Sequence, residues 1–86
     1  MERELQLGQV YRHFKGKLYR TLTVATHTET GEQLVIYQAL YGKRKIFARP
    51  YENFMSEVDL RKHPYAEQRY RFELVPSDSV DTDPPF

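Results

Sequence analysis

The chain has no cysteine, which excludes disulfide frameworks, thiolate zinc sites and cysteine nucleophiles together. It also lacks any apolar run near the roughly 20 residues that a bilayer-spanning helix needs. The opening Met1-Glu2-Arg3-Glu4-Leu5-Gln6-Leu7 carries no apolar h-region. No membrane partner is expected, and a reducing, cytoplasmic setting is the default expectation. Gly8, Gly16, Gly31 and Gly42 fall one per turn, so no glycine loop is available to cradle phosphates. Ser56, Ser77 and Ser79 sit in loop or tail settings without a glycine-flanked elbow. His13, His27 and His63 show none of the close spacings that put two imidazoles on one metal. His27-Thr28-Glu29 has the H-x-E spelling of zinc deaminases, but that chemistry needs a paired-cysteine motif as well. No catalytic residue, metal or cofactor is expected.

What remains is a short chain with strand chemistry and an uneven charge. Its 86 residues make one domain, which buries only roughly 60–65% of the unfolded surface and must hold by packing alone. The formal net charge of +1 hides an asymmetry. Gln9 to Arg49 carries eight cations against Glu29 and Glu32, whereas Pro50 to Phe86 carries four against eight carboxylates. A one-sided field favours anionic partners at the basic half. The alternative is that both signs meet on one folded surface and cancel locally.

Four strand-like segments lie between glycine-marked turns: Gln9 to Phe14, Lys17 to His27, Gln33 to Leu40, and Ile46 to Arg49. They are rich in the β-branched and aromatic types that suit pleated surfaces. Pro50 cannot donate to a ladder and suits the start of a helical turn. Tyr51 to Met55 is expected to form that one turn, with Phe54 plugging an open end of the sheet. Tyr70 to Val75 reads as a last strand with Tyr70, Phe72 and Leu74 inward. Residues 57–68 read as an irregular loop. The acidic, proline-ended run from Ser77 to Phe86 has no periodic apolar face, so residues 1–76 form the domain and 77–86 a disordered tail.

The second hairpin fixes a register. A three-residue loop with Gly31 left-handed pairs Thr28 with Glu32. Val24 then faces Ile36, and Leu18, Leu22, Val24, Leu34, Ile36 and Leu40 share one side, taken as core. The opposite side receives Tyr19 across from Tyr41, Thr23 across from Tyr37, and Lys17 across from Lys43. A slip of one residue would exchange the faces.

The motifs Tyr11-Arg12-His13-Phe14-Lys15-Gly16, Tyr19-Arg20, His27-Thr28-Glu29-Thr30, Val35-Ile36-Tyr37-Gln38-Ala39-Leu40-Tyr41-Gly42 and Arg49-Pro50 with Phe54 follow one another at a familiar spacing. Over roughly residues 8–58 the chain resembles the small bacterial proteins catalogued as domain of unknown function 1653. The resemblance implies an all-β, SH3-like antiparallel barrel or roll, in agreement with the strand reading. It implies no activity, and it carries over no catalytic residues.

Two clusters are candidates for binding. Lys17, Tyr19, Tyr37, Tyr41, Lys43, Arg44 and Lys45 interleave aromatic rings with cations, as surfaces that stack bases and track phosphates do. Tyr19 and Tyr41 could equally be a cross-strand pair that only stabilises the sheet. Arg12, Arg20 and Arg49 fall near one mouth of the expected barrel. There a cation needs either an internal partner, such as Glu52 or Glu73, or a bound anion. The leading expectation is a non-catalytic module for an anionic ligand, either nucleic acid or a nucleotide-like metabolite. The alternatives are a protein- or peptide-interaction module and a small enzyme using His13 or His27 with an arginine.

Overall fold

The computed structural model describes residues 3–76; the expected acidic tail, 77–86, lies outside the described residues. Five strands and one short helix are present: β1 (Val10–His13), β2 (Leu18–Thr26), β3 (Gln33–Ala39), β4 (Ile46–Pro50), α1 (Tyr51–Phe54) and β5 (Phe72–Leu74). All pairings are antiparallel, in the order β4-β3-β2-β1-β5. The expected all-β fold is therefore observed. Among the described residues β4 and β5 do not pair with each other, so the sheet is an open roll rather than a closed barrel. Residues 57–70 form turns and are tied down by an antiparallel bridge from Glu57 to Tyr70.

The core is aromatic, and it lies on the side of the sheet that the sequence register assigned to ligand. Tyr11, Val35, Tyr37, Phe54 and Phe72 are buried as one cluster, with Leu5, Tyr19, Tyr51 and Met55 packed against it. Phe54, expected at an open end of the sheet, packs against this inner face, its ring stacked on Phe72 at 4.1 Å and edge-on to Tyr11 at 5.5 Å. Thr21, opposite Tyr37, is also buried, and its hydroxyl donates to the Gln6 carbonyl at 2.6 Å. A buried hydroxyl so satisfied carries little penalty.

Two local features correct the expected register. The second loop has four residues, not three, because His27 rather than Thr28 lies opposite Glu32: its N–H donates to the Glu32 carbonyl at 2.7 Å. The His27 Nδ1 accepts from the Glu29 N–H at 3.1 Å, so the imidazole caps the turn as a polar side chain caps an Asx-turn. Gly31 takes the expected left-handed conformation, with φ of 75°. A bulge between Thr21 and Thr23 then adds a second offset. As a result Tyr19 lies opposite Ala39, not Tyr41, and Tyr37 lies opposite Thr21, not Thr23.

Before the bulge the two offsets add to two residues, so the same side chains still share each face, but the tyrosine side rather than the leucine side is the core. Leu18, Leu22, Leu34, Ile36 and Leu40, expected as core, lie on the outer face, where Leu22 remains 38% exposed. Val24, beyond the bulge, lies opposite Val35 and so joins the inner side. In β5, Phe72 is buried as expected, but Leu74 is exposed at the free edge. Tyr70 is only partly buried and receives the Arg3 guanidinium over its ring at 3.7 Å.

Candidate functional site

Cations gather among the rings at the β4 side of the inner face. Arg49 is placed by strand pairing: it lies opposite Val35, two residues from Phe47, which lies opposite Tyr37. The alternation of β4 therefore turns both Phe47 and Arg49 to the aromatic side. Arg49 Nε–H donates to the Tyr37 hydroxyl at 3.0 Å, and Nη1 donates to Asn53 Oδ1 at 2.7 Å. Its guanidinium lies 5.3 Å from the Phe72 ring centre. Both acceptors are neutral. The ion pairs among the described residues join Arg61 to Asp59 and Arg69 to Glu57, so neither Glu52 nor Glu73 neutralises Arg49.

Tyr19 is the hub of the neighbouring rings. It meets Tyr37, Tyr41, Phe47 and Phe72 edge-on at 5.4 to 6.5 Å. Its hydroxyl and that of Tyr41 hydrogen-bond at 2.7 Å. Burial, followed by the Tyr41 hydrogen bond, pushes the Tyr19 phenol up to about 12, so it stays protonated at neutral pH. Tyr41 is 37% exposed and Phe47 39% exposed, and the Lys17 ammonium lies 4.6 Å from the Tyr41 ring centre.

His13 packs beside the same rings, edge-on to Phe72 at 4.9 Å and to Tyr19 at 6.4 Å. Burial pushes its pKa down to about 4, and the cations Arg49, Arg71 and Lys15 and the neighbouring His63 add to the effect. Its Nδ1 accepts the Lys15 N–H at 3.1 Å, which leaves the proton of the neutral ring on Nε2. Arg71 is held by the Ser56 hydroxyl at 3.2 Å, again a neutral acceptor. The site thus concentrates positive charge among apolar rings, with hydrogen-bond donors and, among the described residues, no carboxylate paired with Arg49 or Arg71.

The fold brings together Lys17, Tyr19, Tyr37, Tyr41 and Arg49 from the sequence candidates and separates the others. Lys43, Arg44 and Lys45 occupy the exposed β3–β4 turn just after Tyr41, where Arg44 has a positive φ of 57°. Arg12 and Arg20 lie on the outer face, opposite Leu18 and Val10 respectively, and Arg20 donates to the Gly8 carbonyl at 2.9 Å. The grouping of Arg12 and Arg20 with Arg49 at one mouth is therefore corrected. Phe47, Asn53 and Arg71 were missed as site residues. The i, i+2 spacing of Phe47 and Arg49 was a usable signal, but Asn53 and Arg71 arrive through tertiary folding that no local pattern shows. Further along the inner face, a cleft of about 640 Å³ lined by Val24, Pro50, Tyr51 and Asn53 also carries Glu32 and Glu52, and so has the opposite electrostatic character. Among the described residues no three metal-ligating side chains come together.

An open antiparallel roll with an aromatic, cationic inner face defines a small all-β module. The model of the family described as "Protein of unknown function (DUF1653)" matches residues 9–74, and the chain belongs to that family. The match extends past the resemblance read from the sequence and takes in β5. A crystal structure of a DUF1653 protein from Bordetella bronchiseptica is similar, with a TM-score of 0.69 and 31% identity over 87% of this chain and 92% of that one. No curated protein matches the chain.

Proposed function

We propose that the protein is a non-catalytic binding module for an anionic ligand, nucleic acid or a nucleotide-like molecule, held at the mouth of the inner face. The observation that supports this most is the environment of Arg49. A guanidinium drawn into an aromatic site needs a counter-charge, yet its hydrogen-bond partners are the neutral Tyr37 and Asn53. Arg49 would make the primary contact with a phosphate or carboxylate, since its planar fork matches such groups. Lys17 and Arg71 would add to the field. The exposed rings of Phe47 and Tyr41 would stack a planar group.

The chemistry of His13 also favours binding over catalysis. Its Nδ1 is engaged by a backbone N–H, and among the described residues no hydroxyl or carboxylate is hydrogen-bonded to the ring as a nucleophile–base pair requires. The edge-on packing of Tyr19 favours a single planar group at the mouth over a strand of stacked bases along the sheet.

Fluorescence anisotropy at near-physiological salt tests this reading, with a labelled oligonucleotide and a labelled nucleotide against heparin as competitor. Affinity that falls with salt and drops by roughly 1–3 kcal/mol in Tyr41→Ala is expected. Binding indifferent to Tyr41 and Lys17, or abolished equally by heparin for every probe, would remove it.

A further inference from the structure

The outer face of the sheet is aliphatic, and its edge is free. Leu18, Leu22, Leu34, Ile36, Ile46 and Ala48 share it, with Leu22 and Ile46 38% and 59% exposed. Ile46 and Ala48 stand on β4, the terminal strand of the sheet, whose far edge has no strand partner among the described residues. An exposed apolar face continuous with an unpaired edge is a template for another chain.

The charge beside this edge says which kind of chain. Lys43, Arg44 and Lys45 lead directly into β4 and are exposed, and none is in an ion pair among the described residues. The outer-face Gln38 donates to the Arg44 carbonyl at 3.0 Å, which ties this basic turn to the same face. A second copy would bring three more cations, and its own β4, Ile46-Phe47-Ala48-Arg49-Pro50, offers no carboxylate. Like charges set side by side disfavour that pairing. We propose that the edge of β4 and the adjoining outer face dock an extended, acidic, aliphatic segment of a partner protein. The segment adds as a further strand, with its apolar side chains against Ile46 and Ala48 and its carboxylates against the Lys43–Lys45 turn. The apolar contacts lie across the sheet from the Arg49 side chain, although the added strand also runs beside the β4 backbone at Phe47 and Arg49.

The test uses the full chain, labelled with nitrogen-15, and a capped peptide alternating glutamate with valine. Amide shifts should concentrate at Ile46 to Arg49 and reach Ile36 and Leu22, and affinity should weaken as salt rises. A peptide alternating lysine with valine should bind at least about ten-fold more weakly. Ile46→Glu, at a position exposed enough to tolerate it, should remove the shifts while the melting temperature holds. Lys43→Glu with Arg44→Glu should weaken binding by about ten-fold or more. Three results would overturn the proposal: equal binding of both peptides, a two-copy mass by light scattering that falls to one in Ile46→Glu, or β4 shifts that appear without peptide only when residues 77–86 are present. The second makes the occupant another copy of this chain, and the third makes it the chain's own acidic end.

Discussion

Arg49 and Tyr37 stand on neighbouring strands of the inner face, joined by an Nε–H to hydroxyl hydrogen bond of 3.0 Å. The contact fixes the guanidinium without discharging it, because a phenol is a neutral acceptor. It also satisfies the hydroxyl of a ring that is 4% exposed. On the proposed function, a positive charge held in place in this way would lower the ordering cost of binding an anion.

Burial first, and then the charge of Arg49 and its neighbours, holds His13 neutral. Its folded pKa, about 4, lies below the ordinary 6.5, so the unfolded chain takes up this proton more readily than the native one. The associated stability is fully present above about pH 6.5 and is lost as pH falls toward 4. The ring is only partly buried, and solvent screening reduces the expected loss to about 1–2 kcal/mol. Urea denaturation at several pH values should show this loss in the native protein and a flatter profile in His13→Gln. Identical profiles would mean that His13 is not held neutral.

Phe54 is fully buried and stacked on Phe72, with the short helix α1 as its support. Phe54→Ala should destabilise by about 3–5 kcal/mol, the usual cost of truncating a buried aromatic ring. Chemical denaturation reads this directly. A loss below 1 kcal/mol would show that the inner face is not the core.

Gly31 carries a φ of 75° with open space where a Cβ would stand, so the cost of substitution there is conformational rather than steric contact. Gly31→Val should lose roughly 1–3 kcal/mol, and Gly31→Asn much less, because asparagine tolerates the left-handed region. Equal melting temperatures for the two variants would contradict the loop geometry.

The strand segments, the helical turn after Pro50 and the burial of Phe54 could all be read from the sequence, since glycine, proline and β-branched residues act locally. The side of the sheet that faces inward could not. Both faces of β2 and β3 are apolar, one aliphatic and one aromatic, so segregation alone leaves open which of them is the core. The choice is made by tertiary packing, which brings Phe54 of α1 and Phe72 of β5 against Tyr37; the four-residue loop and the bulge after Thr21 change the partners but, before the bulge, not the faces. Long-range packing of this kind has no local sequence signature. The same ambiguity bears on the candidate site: the sequence singles out Tyr19, Tyr37 and Arg49 but reads the two tyrosines as an exposed face, whereas Tyr37 is buried and Tyr19 packs against the core.

The most direct measurement is calorimetric titration of inorganic phosphate and of a nucleoside monophosphate into the native protein, Arg49→Lys and Arg49→Met at pH 7. The account predicts micromolar-or-weaker binding of the nucleotide, reduced at least about ten-fold in Arg49→Met, since a hydrogen-bonded charge contact contributes about 1.5–3 kcal/mol. Arg49→Lys should fall between the two, because an ammonium keeps the charge but not the planar fork. Near-UV circular dichroism should confirm that the aromatic core is intact in each variant. Equal affinity in the folded Arg49→Met protein, or no heat from any anion with the native chain, would contradict it.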